Sequence, residues 1–285
     1  MNNTPLRALV FLPIAYLLSL FHAQAQQYPY MEFGVNLGFS NYQGDLSSGL
    51  NDFDFWKNAG GILAKYHFDR TVKLRAGAYV GRVTADDAVS TFYWRRNRNL
   101  NFRSNIYEFQ IVSEIHLFTG PSYTDKGHPY VLAGLAGFMF NPQARYDNEW
   151  IDLQPLATEG QGTTYLRHRD KYSLIDLAIP AGVGIELKMG RGYYLSLEFC
   201  YRWTLTDFLD DVSGYYPDPN EMEIAYGENS LNQALSDRRL EKENYPIGQG
   251  FDRFQFRGDP TNKDRYVFFG VNITKQFTGI LCNTF

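Results

Sequence analysis

From Tyr30 to Leu46 the chain reads YMEFGVNLGFSNYQGDL, in which Met31, Phe33, Val35, Leu37 and Phe39 alternate with Glu32, Gly34, Asn36, Gly38 and Ser40. Side chains on a strand alternate between its two faces, so this period of two predicts a strand with one apolar face and one small or polar face. The pattern recurs. A second strand is predicted from about Gly60 to Phe68 and a third from about Val72 to Val83, joined at Asp69-Arg70-Thr71 as a hairpin. The fourth, about Asn105 to Phe118, sets Tyr107, Phe109, Ile111, Ile115 and Leu117 against Glu108, Gln110, Glu114 and His116. The fifth runs from Pro129 to Phe140 and is rich in Gly and Ala. The sixth, about Ser173 to Met189, places Ile175, Leu177, Ile179, Val183 and Ile185 opposite Asp176, Gly182, Gly184, Glu186 and Lys188. Pro180 within it cannot donate to a ladder and predicts irregular pairing. The seventh spans Tyr193 to Thr204 and the eighth about Asp264 to Phe277.

The segments between these strands alternate in length. Those near Asp69, Gly120 and Gly190 are short, whereas Gln43 to Asn58, Thr84 to Ser104, Asn141 to Lys171 and Leu205 to Lys263 are long and polar, the last with a short helix expected near Ser230 to Leu240. An even number of strands, apolar on one face, with short turns at one end and long loops at the other, is the signature of an antiparallel transmembrane β-barrel. The expectation is an all-β, eight-stranded barrel with short periplasmic turns and long extracellular loops. Its inward set mixes Glu32, Lys73, Arg75, Glu108, Glu114, Asp176, Glu186, Lys188, Glu198 and Arg202. Eight strands leave only room for side chains to fill the interior, and buried charges need partners, so the lumen should be a plug of matched ions. Tyr30, Tyr42, Tyr66, Tyr130, Tyr193 and Tyr194 near the strand ends suggest aromatic girdles at the membrane surfaces.

Composition agrees without deciding. Aromatic residues make up 16% of the 285, the mean hydropathy is −0.36 and the formal net charge of −4 gives no argument for nucleic acid. At the N-terminus, Arg7, the apolar run Ala8 to Phe21 and the small residues of Ala23-Gln24-Ala25 read as a secretory signal, dividing the chain into a leader (1–25) and an outer-membrane barrel domain (26–285). Cys200 and Cys282 are expected to be free thiols, since nothing in the sequence brings them together.

Candidate chemistry is sparse. His67 and His116 point inward near Glu32 and Glu114, a set that suits either a metal or the luminal ion network. The second is favoured, because no HxxxH spacing or neighbouring Ser accompanies them. Asp207, Asp210 and Asp211 offer oxygen ligands for calcium, but without the spacing or closing Glu of an EF-hand, and a loop-rim role is preferred. Arg95, Arg96 and Arg98 beside Tyr93 and Trp94 suit phosphates of surface lipopolysaccharide, with a solvated loop as the simpler expectation. No Gly-rich phosphate loop or nucleophile elbow is present. No catalytic residue, metal or cofactor is assigned.

Three stretches, GVNLGFSNYQGDL from Gly34 to Leu46, YRWTLTDFLDDVSGYYPD from Tyr201 to Asp218 and RGDPTNKDRYVFFGV from Arg257 to Val271, resemble the PorG-like outer-membrane β-barrel family of the Bacteroidetes phylum. The NYxGDL exit from the first strand and the LDDVS loop after the seventh are the most specific. The resemblance implies a non-enzymatic eight-stranded barrel that serves the type IX protein secretion and gliding machinery and contacts a periplasmic ring. Its partners would be outer-membrane lipid and ring proteins, with no nucleic acid and no small-molecule substrate. The alternative is a binding or adhesion barrel that works through its long surface loops.

Overall fold

The computed structural model describes residues 30–47, 49–118, 127–163, 170–228, 230–241 and 255–277. Nine strands occur among them: β1 (Met31–Gln43), β2 (Lys57–His67), β3 (Val72–Asp86), β4 (Asn101–His116), β5 (His128–Tyr146), β6 (Glu149–Asp152), β7 (Ile175–Gly190), β8 (Tyr193–Thr204) and β9 (Arg265–Phe277). All pairings are antiparallel. Eight strands form a closed ring in which β1 pairs with both β2 and β9 and β4 pairs with β5, while β6 pairs only with β5. Closure removes every edge from the eight, so their backbone N–H and C=O groups are satisfied inside the sheet.

Parity sorts the side chains as the alternation predicts. Phe33, Leu37, Ile62, Val80, Phe109, Leu135, Leu177, Val183 and Ile273 are exposed on the outside, whereas Glu32, Lys65, Arg75, Gln110, Glu114 and Arg202 are buried within. A Lys or Arg on the outer face at mid-membrane costs roughly 2–4 kcal/mol, so the register that keeps these charges inside is held against a slip. No helix among the described residues is long and apolar enough to cross a membrane.

Several expectations need correction. The strands run past their predicted ends where the sequence turns polar: β3 reaches Asp86, β4 begins at Asn101, and β5 continues to Tyr146 and folds back as β6, so Asn141 to Lys171 is not all loop. Backbone pairing continues above the apolar belt because it needs no apolar side chains. Among the described residues, the long connection after β8 carries the α-helices Pro219–Tyr226 and Leu231–Ser236, the second of which lies where a helix was expected. Lys188 keeps the regular register opposite Tyr194 but is exposed, because this is the last regular pair before the β7–β8 turn. Tyr42 and Tyr130, predicted girdle residues, face inward and are 2% and 1% exposed. Parity places them with the luminal set. Opposite Pro180, the β5–β7 ladder lapses between the Ala133–Ala181 and Ala136–Ala178 pairs and resumes in the same register, the irregularity that proline predicts. Residues 1–29, most of the turn around Gly120, and the tail after Phe277 with Cys282 lie outside the described residues.

Candidate functional site: a plugged lumen and a folded loop cap

The lower half of the lumen, towards the short turns, is an ion network. The Lys65 Nζ lies 3.1 Å from both Glu114 and Glu186, and the Lys73 Nζ is 2.5 Å from Glu186. Arg75 forks onto Glu198 at 2.6 and 3.0 Å and also meets Glu114 at 3.0 Å, while the Tyr130 hydroxyl donates to Glu198 at 2.8 Å. His67 Nε2 sits 2.6 Å from Glu32, and the Tyr30 ring stacks on the imidazole with centroids 3.8 Å apart. Strand pairing sets these meetings up: Glu32 is opposite Lys65, Lys65 opposite Arg75, and Lys73 opposite Glu114.

Above this layer Arg202 reaches Glu108 at 3.3 Å and lies over the Phe268 ring, 4.3 Å from its centroid, and the Tyr266 hydroxyl donates to Glu108 at 2.6 Å. Tyr79, Val83, Phe102, Ile106, Phe138 and Phe268 then form an apolar layer across the upper lumen. Charged and apolar strata together fill the interior.

The donor atoms of Glu114, His116 and Glu186 lie within 4.8 Å of one another and are the group among the described residues with metal-ligand geometry. They do not suit an ion. Lys65 already places its ammonium between the two carboxylates, and a cation there would have to displace it or sit against it. His67 and His116 each meet a carboxylate of the network, Glu32 at 2.6 Å and Glu114 at 3.5 Å.

At the long-loop end the connections fold into a cap built from the motifs singled out in the sequence. Arg98 forks onto Asp87 through Nε at 2.6 Å and a second nitrogen at 2.9 Å, and donates to the carbonyls of Arg257 at 2.8 Å and Asp45 at 3.0 Å. The Asp45 carboxylate in turn accepts from the Asp259 N–H at 2.9 Å. Arg257 donates to the Asp211 carbonyl, and its guanidinium lies 3.4 Å from Glu159, which accepts from the backbone N–H groups of Ser213 and Gly214. The NYxGDL, LDDVS and RGDP stretches, far apart in sequence, meet here.

Asp207, Asp210 and Asp211 are all buried, yet they do not converge on one point. Asp207 accepts from the Ser213 hydroxyl at 2.7 Å, Asp211 from Thr158 and from Tyr172 at 2.6 Å, and Asp210 from the Val212 N–H at 2.9 Å. Burial pushes the Asp207 carboxyl up to about 7 and that of Asp211 up to about 6. The Tyr42 hydroxyl lies 2.6 Å from both Asp210 and Asp264. A phenol has one proton, so one carboxyl must carry a proton of its own to complete the pair of bonds. Burial holds both Asp210 and Asp264 well above the usual carboxylate range, which provides that proton. A calcium site needs carboxylates aimed at one centre, and these three are turned to separate partners.

The arginine expectation also changes. Arg98 is buried, Arg95 donates to the Ser47 carbonyl, and Arg96 donates to the carbonyls of Ser90 and Thr91 at 2.7 and 2.9 Å. Arg98 braces the loops from within, while Arg95 and Arg96, half-exposed, tie loop carbonyls at the surface. Arg98 with Asp87 is the pair sequence reasoning missed; an Asp eleven residues before an Arg carries no signal until the β3–β4 connection is folded.

A protein-family model described as "Domain of unknown function (DUF6089)" matches residues 8–234. No curated protein matches the chain by sequence. Among solved structures, the chain is similar to Ail, the attachment invasion locus protein of Yersinia pestis, in complex with the heparin analogue sucrose octasulfate, at 6% identity and a TM-score of 0.40, covering 88% of this chain and 100% of that one. It is similar to Neisserial surface protein A at 8% identity and a TM-score of 0.40, covering 89% and 100%, and to the outer membrane protein OprG from Pseudomonas aeruginosa at 8% identity and 0.36, covering 90% and 100%.

Proposed function

The chain belongs to the DUF6089 family, a domain of unknown function, and from that starting point we propose that it is a non-enzymatic outer-membrane barrel acting as a rigid anchor rather than a pore. One observation carries this: the lumen is filled across its width, by Lys65, Glu114 and Glu186 below and by Tyr79, Phe138 and Phe268 above. A barrel so filled has only its outer wall and its two ends to work with. An apolar outer face and a closed ring support membrane insertion, with the long loops outside and the short turns in the periplasm. Residues 1–25 would serve as the export signal. The histidines support a non-catalytic role, being engaged with Glu32 and Glu114 inside the plug.

The finer assignment, docking onto a periplasmic ring of the type IX secretion machinery, is supported by the sequence resemblance. The contact would use the short turns at Asp69-Arg70 and Gly190-Arg191-Gly192 and the tail after Phe277. Pull-down of tagged protein from detergent-solubilised outer membranes tests it: ring proteins should be recovered, and recovery should fall at least tenfold in an Arg70→Glu/Arg191→Glu variant. Unchanged recovery, or no ring proteins at all, overturns the docking role.

A second role, ligand binding by the surface loops, is favoured by Phe92, Tyr93 and Trp94, which are 57%, 77% and 56% exposed on the outside of the cap. Their replacement by Ala would abolish surface attachment while leaving ring recovery intact.

A further inference from the structure

Two arginines lie on the wrong side of the wall for the ion network. Arg82 on β3 and Arg103 on β4 have the outward parity of Val80 and Tyr107, and they are diagonal neighbours, since Arg82 pairs with Asn105 and Arg103 with Thr84. A guanidinium on the lipid face is tolerated only near the membrane surface, where its cost falls to roughly 0–1 kcal/mol. Their place near the long-loop end of the strands puts them at that level.

Each is oriented but not neutralised. Arg82 Nε donates to the Asn105 side chain at 2.8 Å and Arg103 Nε to the Gln143 side chain at 2.9 Å, with the Arg103 guanidinium 4.1 Å from the centre of the Trp150 ring. The nearby acids are engaged elsewhere: Asp152 accepts from Asn141 and Gln143, and Asp86 caps the Ala88 N–H. Among the described residues neither arginine forms an ion pair, whereas Arg75 and Arg202 in the lumen each have a carboxylate. Two like charges on diagonal positions of one outer face, neither with a counter-ion, are arranged for an anion from outside.

Directly below lies an apolar groove of about 760 Å³ in the outer wall across β2 to β5, floored by Gly60 and Gly137 and walled by Val80, Tyr107, Phe109 and Met139. A second hollow of about 630 Å³ shares Gly60, Val80 and Tyr107 with it and extends up to Arg82 and Asn105. The sequence of surfaces, from mid-membrane upward, is therefore an apolar slot, an arginine pair, and a fringe of side-chain amides from Asn105, Asn141 and Gln143.

We propose that this face binds a phosphorylated glycolipid of the outer leaflet: an acyl chain lies in the groove, a phosphate sits on Arg82 and Arg103, and sugar hydroxyls meet the amides. The amide fringe selects a glycolipid over a plain phospholipid, because carboxamides offer the paired donors and acceptors that sugars need. The site rests on the membrane orientation given above but not on any periplasmic partner.

The test uses the full-length barrel in nanodiscs, with native mass spectrometry counting retained lipid. The probes are a bis-phosphorylated, acylated glucosamine disaccharide, its dephosphorylated form, and phosphatidylglycerol. Arg82→Gln/Arg103→Gln should weaken binding of the phosphorylated disaccharide at least tenfold. Gly137→Leu should do the same by filling the groove, because a Cβ added there meets nothing closer than Leu177, at 3.9 Å, and the backbone can accept a side chain. Heat-modifiable mobility on gels verifies that each variant is folded. Equal binding by wild type and both variants, or equal retention of the dephosphorylated disaccharide or of phosphatidylglycerol, overturns the proposal. Ring-protein recovery from the Arg82→Gln/Arg103→Gln cells separates the two functions, since it should stay at the wild-type level.

Discussion

Arg98 and Asp87 form a two-pronged buried ion pair, at 2.6 and 2.9 Å, that ties together three of the four long loops through the further bonds of Arg98 to the carbonyls of Asp45 and Arg257. Removing one partner of such a pair leaves an uncompensated buried charge and costs about 3–5 kcal/mol. In this molecule the cost falls on the cap, because the barrel strands are closed without it. Arg98→Ala is expected to expose the loops to trypsin while the heat-modifiable band persists; an Arg98→Met/Asp87→Leu double variant, which leaves no orphan charge, should be cleaved more slowly than Arg98→Ala. Loops as resistant as wild type in Arg98→Ala would show that the pair does not hold the cap.

The cap also carries a pH dependence. Asp207 and Asp211 have carboxyls raised by burial to about 7 and about 6, against about 3.9 for a free Asp. Between these values the folded cap binds more protons than the open one. The stabilisation is thus fully present below pH 4 and is lost as the pH rises through 6 and 7. Hydrogen exchange of residues 207–214, normalised for intrinsic rates, should show more protection at pH 5 than at pH 8, and Asp207→Asn should flatten the difference. Greater protection at pH 8 than at pH 5 would reverse the sign and refute the account.

The barrel was legible in the sequence because parity is a local property: Glu32, Lys73, Arg75 and Glu198 could each be placed inside from neighbours one or two residues away. β8 was read to its last residue, Thr204, for the same reason. The cap was not legible. Its bonds join Asp45 to Asp259 and Arg98 to Arg257 across 214 and 159 residues, and no period in either segment records its partner. Arg95, Arg96 and Arg98 looked solvated because their loop is polar, and polarity does not distinguish a loop facing water from one folded against other loops. Tyr42 and Tyr130 show the limit from the other side, for position near a strand end suggested a girdle while parity, which decides, turned them inward.

Within the lumen, Lys65 stands between Glu114 and Glu186 with no exposed side-chain surface. Lys65→Met would leave the two carboxylates facing each other, and a loss of about 3–5 kcal/mol is expected from denaturant unfolding in detergent, with a smaller loss in Lys65→Met/Glu114→Gln. Neither variant should conduct. The layer of Tyr79, Phe138 and Phe268 above remains intact, so planar bilayers carrying wild type or Lys65→Met should both lack discrete channel steps. Stable unitary currents from the wild-type protein would contradict a plugged interior.

Closure of the ring depends on a close approach between its first and last strands. Gly38 of β1 pairs with Gly270 of β9, and a Cβ built on Gly38 would collide with the Phe269 carbonyl and the Gly270 Cα. The obstruction is backbone, so no rotamer change relieves it. A Gly38→Val variant must push the two strands apart, breaking ladder hydrogen bonds in a setting where lipid cannot replace them. Refolding into detergent should therefore yield mainly the unshifted, unfolded band on unheated gels. Gly137→Ala is the matched control, since its added methyl meets nothing closer than Leu177 at 3.9 Å and should refold like wild type. A Gly38→Val protein that folds as efficiently as this control would mean that the β1–β9 seam is not formed in the register Gly38 to Gly270.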